Sequence, residues 1–459
     1  MTLLPILPID TGRYGTREML KIFEEASRLQ RMLDVEAALA WAHAEVGNIP
    51  REDAKTIIEL ASANHVKLSR VKEIEGETRH DVMSMVRALA EACGSSGAYV
   101  HLGATSSDIL DTATALQLND ALRLIARKLD DLERILMEGA NRHRQTMMIG
   151  RTHGQHALPI TFGLKLAVWM REIARHLQRL QDCGGRVLVG KMTGAVGTQA
   201  GLGPHAMEIQ RLVMERLGLK PVEVSTQIVQ RDRLAELICL LGLVASSLDK
   251  MAIEIRELQR PEIGEVSEFF ERKKQVGSST MPHKRDPQTC ETVCGLAKIM
   301  RSLVVPALEN VPTWHERDMT QSSAERFLVP EACILTDHML ASMAEVLTNL
   351  HVDEERMLKN MNMTQGRMMS EAVMLTLARK GMDRQKAHEL IRKLAMRSDV
   401  EKRPFKQVLL EANVLHDMLS EEEIDAALDP GNYLGTTIKQ VEMAVEKTKR
   451  ERKARGLSA

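Results

Sequence analysis

The length of its apolar periodic runs constrains this chain more than any other feature. "TATALQLNDALRLIARKLDDLERILMEGANRHRQ" runs from Thr112 to Gln145 with no proline and a single glycine. Leu29, Leu33, Ala37 and Ala40 recur at helical spacing, as do Leu237, Leu241, Val244 and Leu248. Aromatic residues make up only 3% of the chain, while Leu, Ala, Met, Glu, Lys and Arg abound, which favours helix over strand. The runs exceed the usual three turns, and neither β-α alternation nor an internal repeat interrupts them. The expectation is an all-α fold built on long helices. The Leu237–Leu248 run carries more apolar surface than one neighbouring helix would cover, which suits a bundle and an oligomer.

Turn signals cut the 459 residues into thirds. Residues 1–110 hold several helices, residues 111–352 the longest runs, and residues 353–459 shorter helices. In the last third, Ser420 and Glu423 have the spacing of a capping box before "IDAALD", and "DPGNYLG" breaks the chain. The basic end "KTKRERKARG" reads as a solvated, fraying tail.

Composition narrows the function classes. A formal net charge of -1 argues against a broad nucleic-acid or anionic-membrane surface, so any anion must meet a local cluster. The six cysteines include no C-x-x-C and no zinc-like pairing, so reduced thiols in a cytoplasmic protein are expected. The opening "MTLLPILPID" is short, proline-broken and without a basic flank, unlike a signal peptide. "LICLLGLVA", from Leu237, is too short to span a bilayer and reads as buried helix.

Four polar clusters interrupt the helical pattern at turns or helix starts, where a rigid scaffold commonly carries its functional groups. "ETRHD" sets Arg79, His80 and Asp81 in a row; on a helix they would fan over different faces, and an exposed helix start is the plain alternative. In "HLGATSSD", Gly103 and the small hydroxyl residues Thr105, Ser106 and Ser107 suit either helix capping or anion binding, which use the same N–H groups. "GRTHGQHALP" places His153 and His156 three apart in a turn. No third metal ligand is evident, and proton transfer competes there with a structural histidine. "VGSSTMPHKRDP", from Val276, holds Ser278, Ser279, Lys284 and Arg285 between glycine and proline, with Glu291 just beyond; it suits a lid closing over an anion, or a plain surface turn. It has no G-x-S-x-G, and Met281 stands where an S-x-x-K lysine would follow Ser278. "WHERDMTQSSAER" adds Arg317, Ser322 and Arg326, and "DTGRYG" adds Arg13 and Tyr14. "VGKMTGAVGTQAGLG", from Val189, fits neither nucleotide-binding glycine motif and reads as a tight loop near a site. Histidine, serine, lysine and several arginines without a cofactor motif suit a polyanionic substrate and proton transfer.

"GSSTMPHKRDP" closely resembles the signature loop of the fumarase/aspartase superfamily, and "HLGATSSDILDTA" and "GRTHGQHALPITFG" resemble its other two signature regions, in the right order. "TRHDVM", "TQIVQRDR" and "WHERDMTQSSAERFLVPEA" resemble the branch of that superfamily that splits adenylosuccinate into AMP and fumarate, and a succinyl-carboxamide ribotide of purine synthesis likewise. The resemblance runs from "RYG" to "LDPGNYLG". It implies a three-domain all-helical subunit, a homotetramer with active sites shared by three subunits, and no cofactor or metal.

The same resemblance implies roles. His153 would be the general acid and Ser278 the general base; Ser279 would bind substrate carboxylate, His80 would orient the substrate beside His153, and Glu291 would support His153. Arg13, Tyr14, Arg317, Ser322 and Arg326 would hold the phosphate and nucleotide. Arg79, Asp81, Thr105, Ser106, Gln227 and Lys284 would line the pocket, with Arg285 and Asp286 beside them. The chain departs from the family at Asp286, where the motif has asparagine. An ionised carboxylate cannot donate the amide's hydrogen bonds and would repel a dicarboxylate unless Lys284 or Arg285 compensates. The alternatives are another lyase of the superfamily, a carboxymuconate cycloisomerase without need of the nucleotide-binding arginines, or an inactive structural relative.

Overall fold

The computed structural model describes residues 5–271 and 273–457, so the first four residues of the apolar opening lie outside it. The described chain is helical almost throughout; its strands form three two-stranded pairs. No helix among the described residues is long and apolar enough to cross a membrane. The all-α expectation holds.

The chain divides into two compact units, each made of three separate stretches. The first comprises residues 1–130, 175–249 and 292–342, and the second residues 131–174, 250–291 and 343–459. The divisions fall inside five helices: Ser106–Arg142, Phe162–Val187, Asp232–Gln259, Gln288–Ser302 and Thr320–Thr348.

In the first unit the Glu25–Glu45 helix packs against Arg51–Leu60 and Ala206–Leu217, and Leu68–Thr78 packs against Asp81–Cys93. Leu29, Leu33 and Ala40 are buried in one cluster with Ile57, Met85, Leu89, Ile209 and Val213. The apolar stripe read from the sequence is therefore this unit's core. Leu237, Leu241, Val244 and Leu248 are likewise buried.

The second unit contains the Met147–Thr152 and Gln155–Thr161 strands, which form an antiparallel hairpin. Its base packs on the Glu354–Met361 helix, and Ile149 is buried with Met361, Met368 and Met369. Val266–Ser267 pairs antiparallel with His351–Val352. A separate core around Val373, Leu377, Phe405, Leu409 and Ile424 holds the shorter helices together. The capping box forms as expected: the Ser420 hydroxyl accepts from Glu423 N–H, and the Glu423 carboxylate accepts from Ser420 N–H.

The basic end differs from its sequence reading. The Thr437–Ala454 helix carries it, and Arg452 is buried against the fully buried Glu133 carboxylate at 3.3 Å, with Arg455 bonded to the same oxygen. Arg171 adds a two-pronged pair with Glu451, at 2.6 and 3.0 Å. A buried carboxylate needs partners, and these arginines supply them, so the segment is anchored rather than frayed.

Candidate active site

The sequence-predicted residues divide between the two units. The first holds Arg13, Tyr14, Arg79, His80, Asp81, Thr105, Ser106, Gln227, Arg317, Ser322 and Arg326; the second holds His153, Ser278, Ser279, Lys284, Arg285, Asp286 and Glu291.

In the first unit, Arg79, His80 and Asp81 do not share a helix. Arg79 closes the Leu68–Thr78 helix at a left-handed φ of 52°, and His80 is the N-cap of Asp81–Cys93. The His80 ring Nδ1 accepts from Met83 N–H at 3.3 Å, which assigns the ring proton to the exposed Nε2. A helix junction thus presents Arg79 and His80 to solvent. Asp81 accepts from Arg326 at 2.7 Å. Burial pushes its carboxyl upward, but the Val82 N–H and the charges of Arg326 and Arg28 outweigh that and hold it below the usual carboxylate range.

Thr105 and Ser106 lie at the start of the Ser106–Arg142 helix. The fully buried Asp108 carboxylate reaches back to Thr105 N–H at 2.8 Å and also receives Thr193 N–H at 2.9 Å and the Lys191 ammonium at 2.6 Å. One buried ion pair therefore ties the hydroxyl-rich turn to the glycine-rich segment from Val189. The preceding turn is fixed by buried Glu36, which accepts from both His101 N–H (3.1 Å) and the His101 ring (2.6 Å). Burial opposes the charged imidazole, but the Glu36 hydrogen bond and charge raise its pKa above the ordinary histidine value.

Arg317 donates to Ser107 Oγ at 3.1 Å and Gln227 Oε1 at 3.2 Å. Its buried Nε has no partner among the described residues. Arg317, Ser322 and Arg326 line one cavity of about 210 Å³ with Arg28, Ser107 and Gln321. Arg231, on its wall, is held by Asp111 (2.9 Å) and Glu325 (2.7 Å), so its charge is neutralised in place. Arg13 and Tyr14 meet each other, guanidinium over ring at 5.9 Å, and Tyr14 also packs on the His338 ring.

In the second unit, His153 and Gly154 form the tip of the hairpin, at φ of 53° and 72°, as a two-residue turn of the I′ kind requires. The turn exposes the His153 ring. His156 sits opposite Arg151, and burial, then the Arg151 charge, lowers its pKa from the ordinary value. No group of three or more potential metal-binding side chains occurs among the described residues.

The Ser278 loop is pinched at its base. A Cβ at Gly277 would lie 2.0 Å from Lys284 O, so only glycine fits. Ser278 Oγ accepts from Met281 N–H at 3.1 Å and Thr280 N–H at 3.3 Å. Two amide dipoles aimed at one oxygen favour negative charge there. Ser279 and Lys284 are exposed. Lys284 Nζ lies 3.2 Å from Asp286 Oδ1, and Arg285 stacks over Phe270. Glu291 faces Arg256 at 3.9 Å. Among the described residues, no hydrogen bond joins His153 to Ser278 or to Glu291.

Sequence reasoning missed the anchors: Glu36, Arg231, Asp111, Glu325 and Lys191. Arg231 stands inside "TQIVQRDR", but nothing local reveals that its partners lie 120 and 94 residues away.

The helical fold, serine loop, exposed turn histidine and arginine-lined cavity belong to a chain that matches lyases of the fumarase/aspartase class. Residues 12–300 match the family described as Lyase, and residues 366–444 match Adenylosuccinate lyase C-terminus. The fold is similar to that of a 3-carboxy-cis,cis-muconate lactonizing enzyme from Pseudomonas putida (TM-score 0.89, 35% identity, 97% of this chain and 99% of that one). It is also similar to a fumarate lyase from Mesorhizobium sp. BNC1 (TM-score 0.88, 33% identity, 94% and 98% covered). The sequence is 54% identical to adenylosuccinate lyase from Pyrococcus horikoshii over 99% of this chain and 100% of the relative, and 42% identical to that from Bacillus subtilis over 92% and 96%. The chain belongs to the adenylosuccinate lyase family.

Proposed function

We propose that the protein cleaves adenylosuccinate to AMP and fumarate, and the succinyl-aminoimidazole-carboxamide ribotide of purine biosynthesis to its carboxamide ribotide and fumarate. The observation that carries the reading is the cavity lined by Arg28, Arg317, Ser322 and Arg326. Three guanidinium groups around one cavity suit an oxyanion, and a nucleotide phosphate supplies one. The match of residues 366–444 to Adenylosuccinate lyase C-terminus favours a nucleotide substrate over carboxymuconate.

The chemistry is an elimination. Ser278, its hydroxyl proton first given up to solvent, takes as alkoxide a proton from the succinyl Cβ, and the electron pair spreads onto the adjacent carboxylate. Ser279, Lys284 and Arg285 stabilise that charge where it develops. The pair then forms the C=C bond of fumarate as the C–N bond breaks, and His153 gives its proton to the departing nitrogen, which would otherwise leave as a poor anion. His80 orients the substrate, Glu291 supports His153, and Arg13 and Tyr14 hold the nucleotide beside Arg317. Arg79, Asp81, Thr105, Ser106, Gln227 and Asp286 complete the pocket. The residues named need no cofactor for this reaction.

The same reading makes the protein a cytoplasmic homotetramer whose active sites draw on three subunits, with each chain organised as residues 1–110, 111–352 and 353–459. Exposed apolar side chains along the long helices support association between subunits: Val168, Leu243, Ile253, Ile299 and Phe327 are each about half exposed. Light scattering tests it; a stable monomer would contradict it. The nucleotide assignment is tested by comparing adenylosuccinate with its dephosphorylated nucleoside. The expected result is a KM higher by at least about tenfold for the nucleoside; equal kcat/KM would contradict the assignment.

A further inference from the structure

Two residues of one short stretch, Glu265 and Glu268, hold the supports of the hairpin that carries His153 and of the loop that carries Ser278. Glu265 is fully buried and grips Arg151 with both oxygens, at 2.7 and 2.9 Å. Arg151 lies on the Met147–Thr152 strand, two residues before His153 in the turn. Asn360, itself buried on the Glu354–Met361 helix, donates to the same Glu265 carboxylate at 2.8 Å. The hairpin is a two-stranded sheet, marginal by itself, with an exposed tip and a non-glycine residue at positive φ. The Arg151 fork is a directional tie that fixes this strand's position close to the tip.

Three residues on, Glu268 caps the Gln288–Ser302 helix, at the exit of the serine loop. Its two oxygens receive Cys290 N–H at 2.6 Å and Thr289 N–H at 3.2 Å. A carboxylate there meets both the free N–H groups and the positive end of the helix dipole. Gln259 links the segment to the loop a second time, accepting from Glu268 N–H at 2.9 Å and donating to Arg285 O at 3.1 Å.

We propose that Glu265 and Glu268 are positioning residues, Glu265 for the hairpin that carries His153 and Glu268 for the loop that carries Ser278. The proposal rests on the reading of His153 and Ser278 as the proton-transfer groups, and it holds whichever subunits' sites the two elements complete. Neither carboxylate touches the reacting atoms; each fixes where a reacting group stands.

The test measures kcat, KM and peptide-level hydrogen exchange for Glu265→Gln and Glu268→Ala in the full chain. Misplacing a catalytic group should lower kcat on the order of tenfold to a hundredfold and leave KM within about twofold. Exchange should quicken in residues 147–161 for Glu265→Gln and in residues 277–291 for Glu268→Ala. If Glu265→Gln does not accumulate as folded protein, Arg151→Lys, which keeps the charge and loses the fork, carries the same test. Folded variants with full kcat, or with raised KM and unchanged kcat, overturn the proposal. His153→Ala and Ser278→Ala are run in parallel. If either keeps its turnover, the reading of that proton-transfer group has failed, and the exchange pattern alone then decides whether the anchor holds its element. Glu389→Gln, in an exposed pair with Arg392, should match the wild type in every measurement.

Discussion

The two units hold their candidate residues in different ways. In the first, buried ion pairs brace the turns beside them: Asp108 is held by Lys191 and three backbone N–H groups, Arg231 by Asp111 and Glu325, and His101 by Glu36, while Arg79 and His80 stand exposed at a helix junction. In the second, His153, Ser279 and Lys284 stand exposed on a turn and a loop, and the anchors lie at the bases. On the proposed function, the difference suits two tasks. Binding a phosphate rewards donors that are already aimed. An elimination that must exclude water is served by groups on segments that can close.

The sharpest way to break this division is His153→Ala. It should lower kcat by about 10²–10⁴, the usual worth of a positioned general acid, with a small change in KM. A mainly KM effect would move His153 to the binding side.

Next in size is Lys191→Met in the first unit. It leaves the Asp108 carboxylate buried without its cation, and breaking such a pair costs about 3–5 kcal/mol. Denaturant unfolding checks it; a loss under about 1 kcal/mol would mean the anchor is not what holds this turn. Arg317→Ala should raise KM for adenylosuccinate by about tenfold to a hundredfold, the worth of a charged hydrogen bond, and affect kcat less. Asp286→Asn frees Lys284 and should tighten binding or raise turnover by a few-fold, about the worth of one partly exposed pair. Weaker catalysis would show the aspartate adapted to this site.

The smallest effect is a pH dependence. The folded His101 pKa is raised, so its pairing with Glu36 adds stability that is fully present below the ordinary histidine value of about 6.5 and is lost as pH rises through the raised value. The melting-temperature gap between wild type and His101→Gln should therefore be widest in mild acid and narrow toward alkaline pH. A gap that widens with pH would reverse the assigned sign.

What the sequence made legible was local. Leu29, Leu33 and Ala40 announced a helix because their spacing is set by the helix itself, and Ser420 with Glu423 announced a cap because both partners lie within one turn. The four polar clusters stood out against that regularity. The anchors did not, because Asp108 and Lys191 are 83 residues apart and neither looks unusual in its own segment. Arg452 reads as one more charge in a basic run until the fold sets Glu133 beside it. The break between Arg79 and His80 was hidden for another reason: a left-handed arginine carries no sequence mark of the kind glycine gives.

The most direct measurement is fumarate release from purified protein given adenylosuccinate, with argininosuccinate and carboxymuconate in parallel. Release from adenylosuccinate alone is the predicted result. No release from it by folded, oligomeric protein, or turnover of carboxymuconate instead, would contradict the assignment of this cavity and loop to a succinylated purine nucleotide.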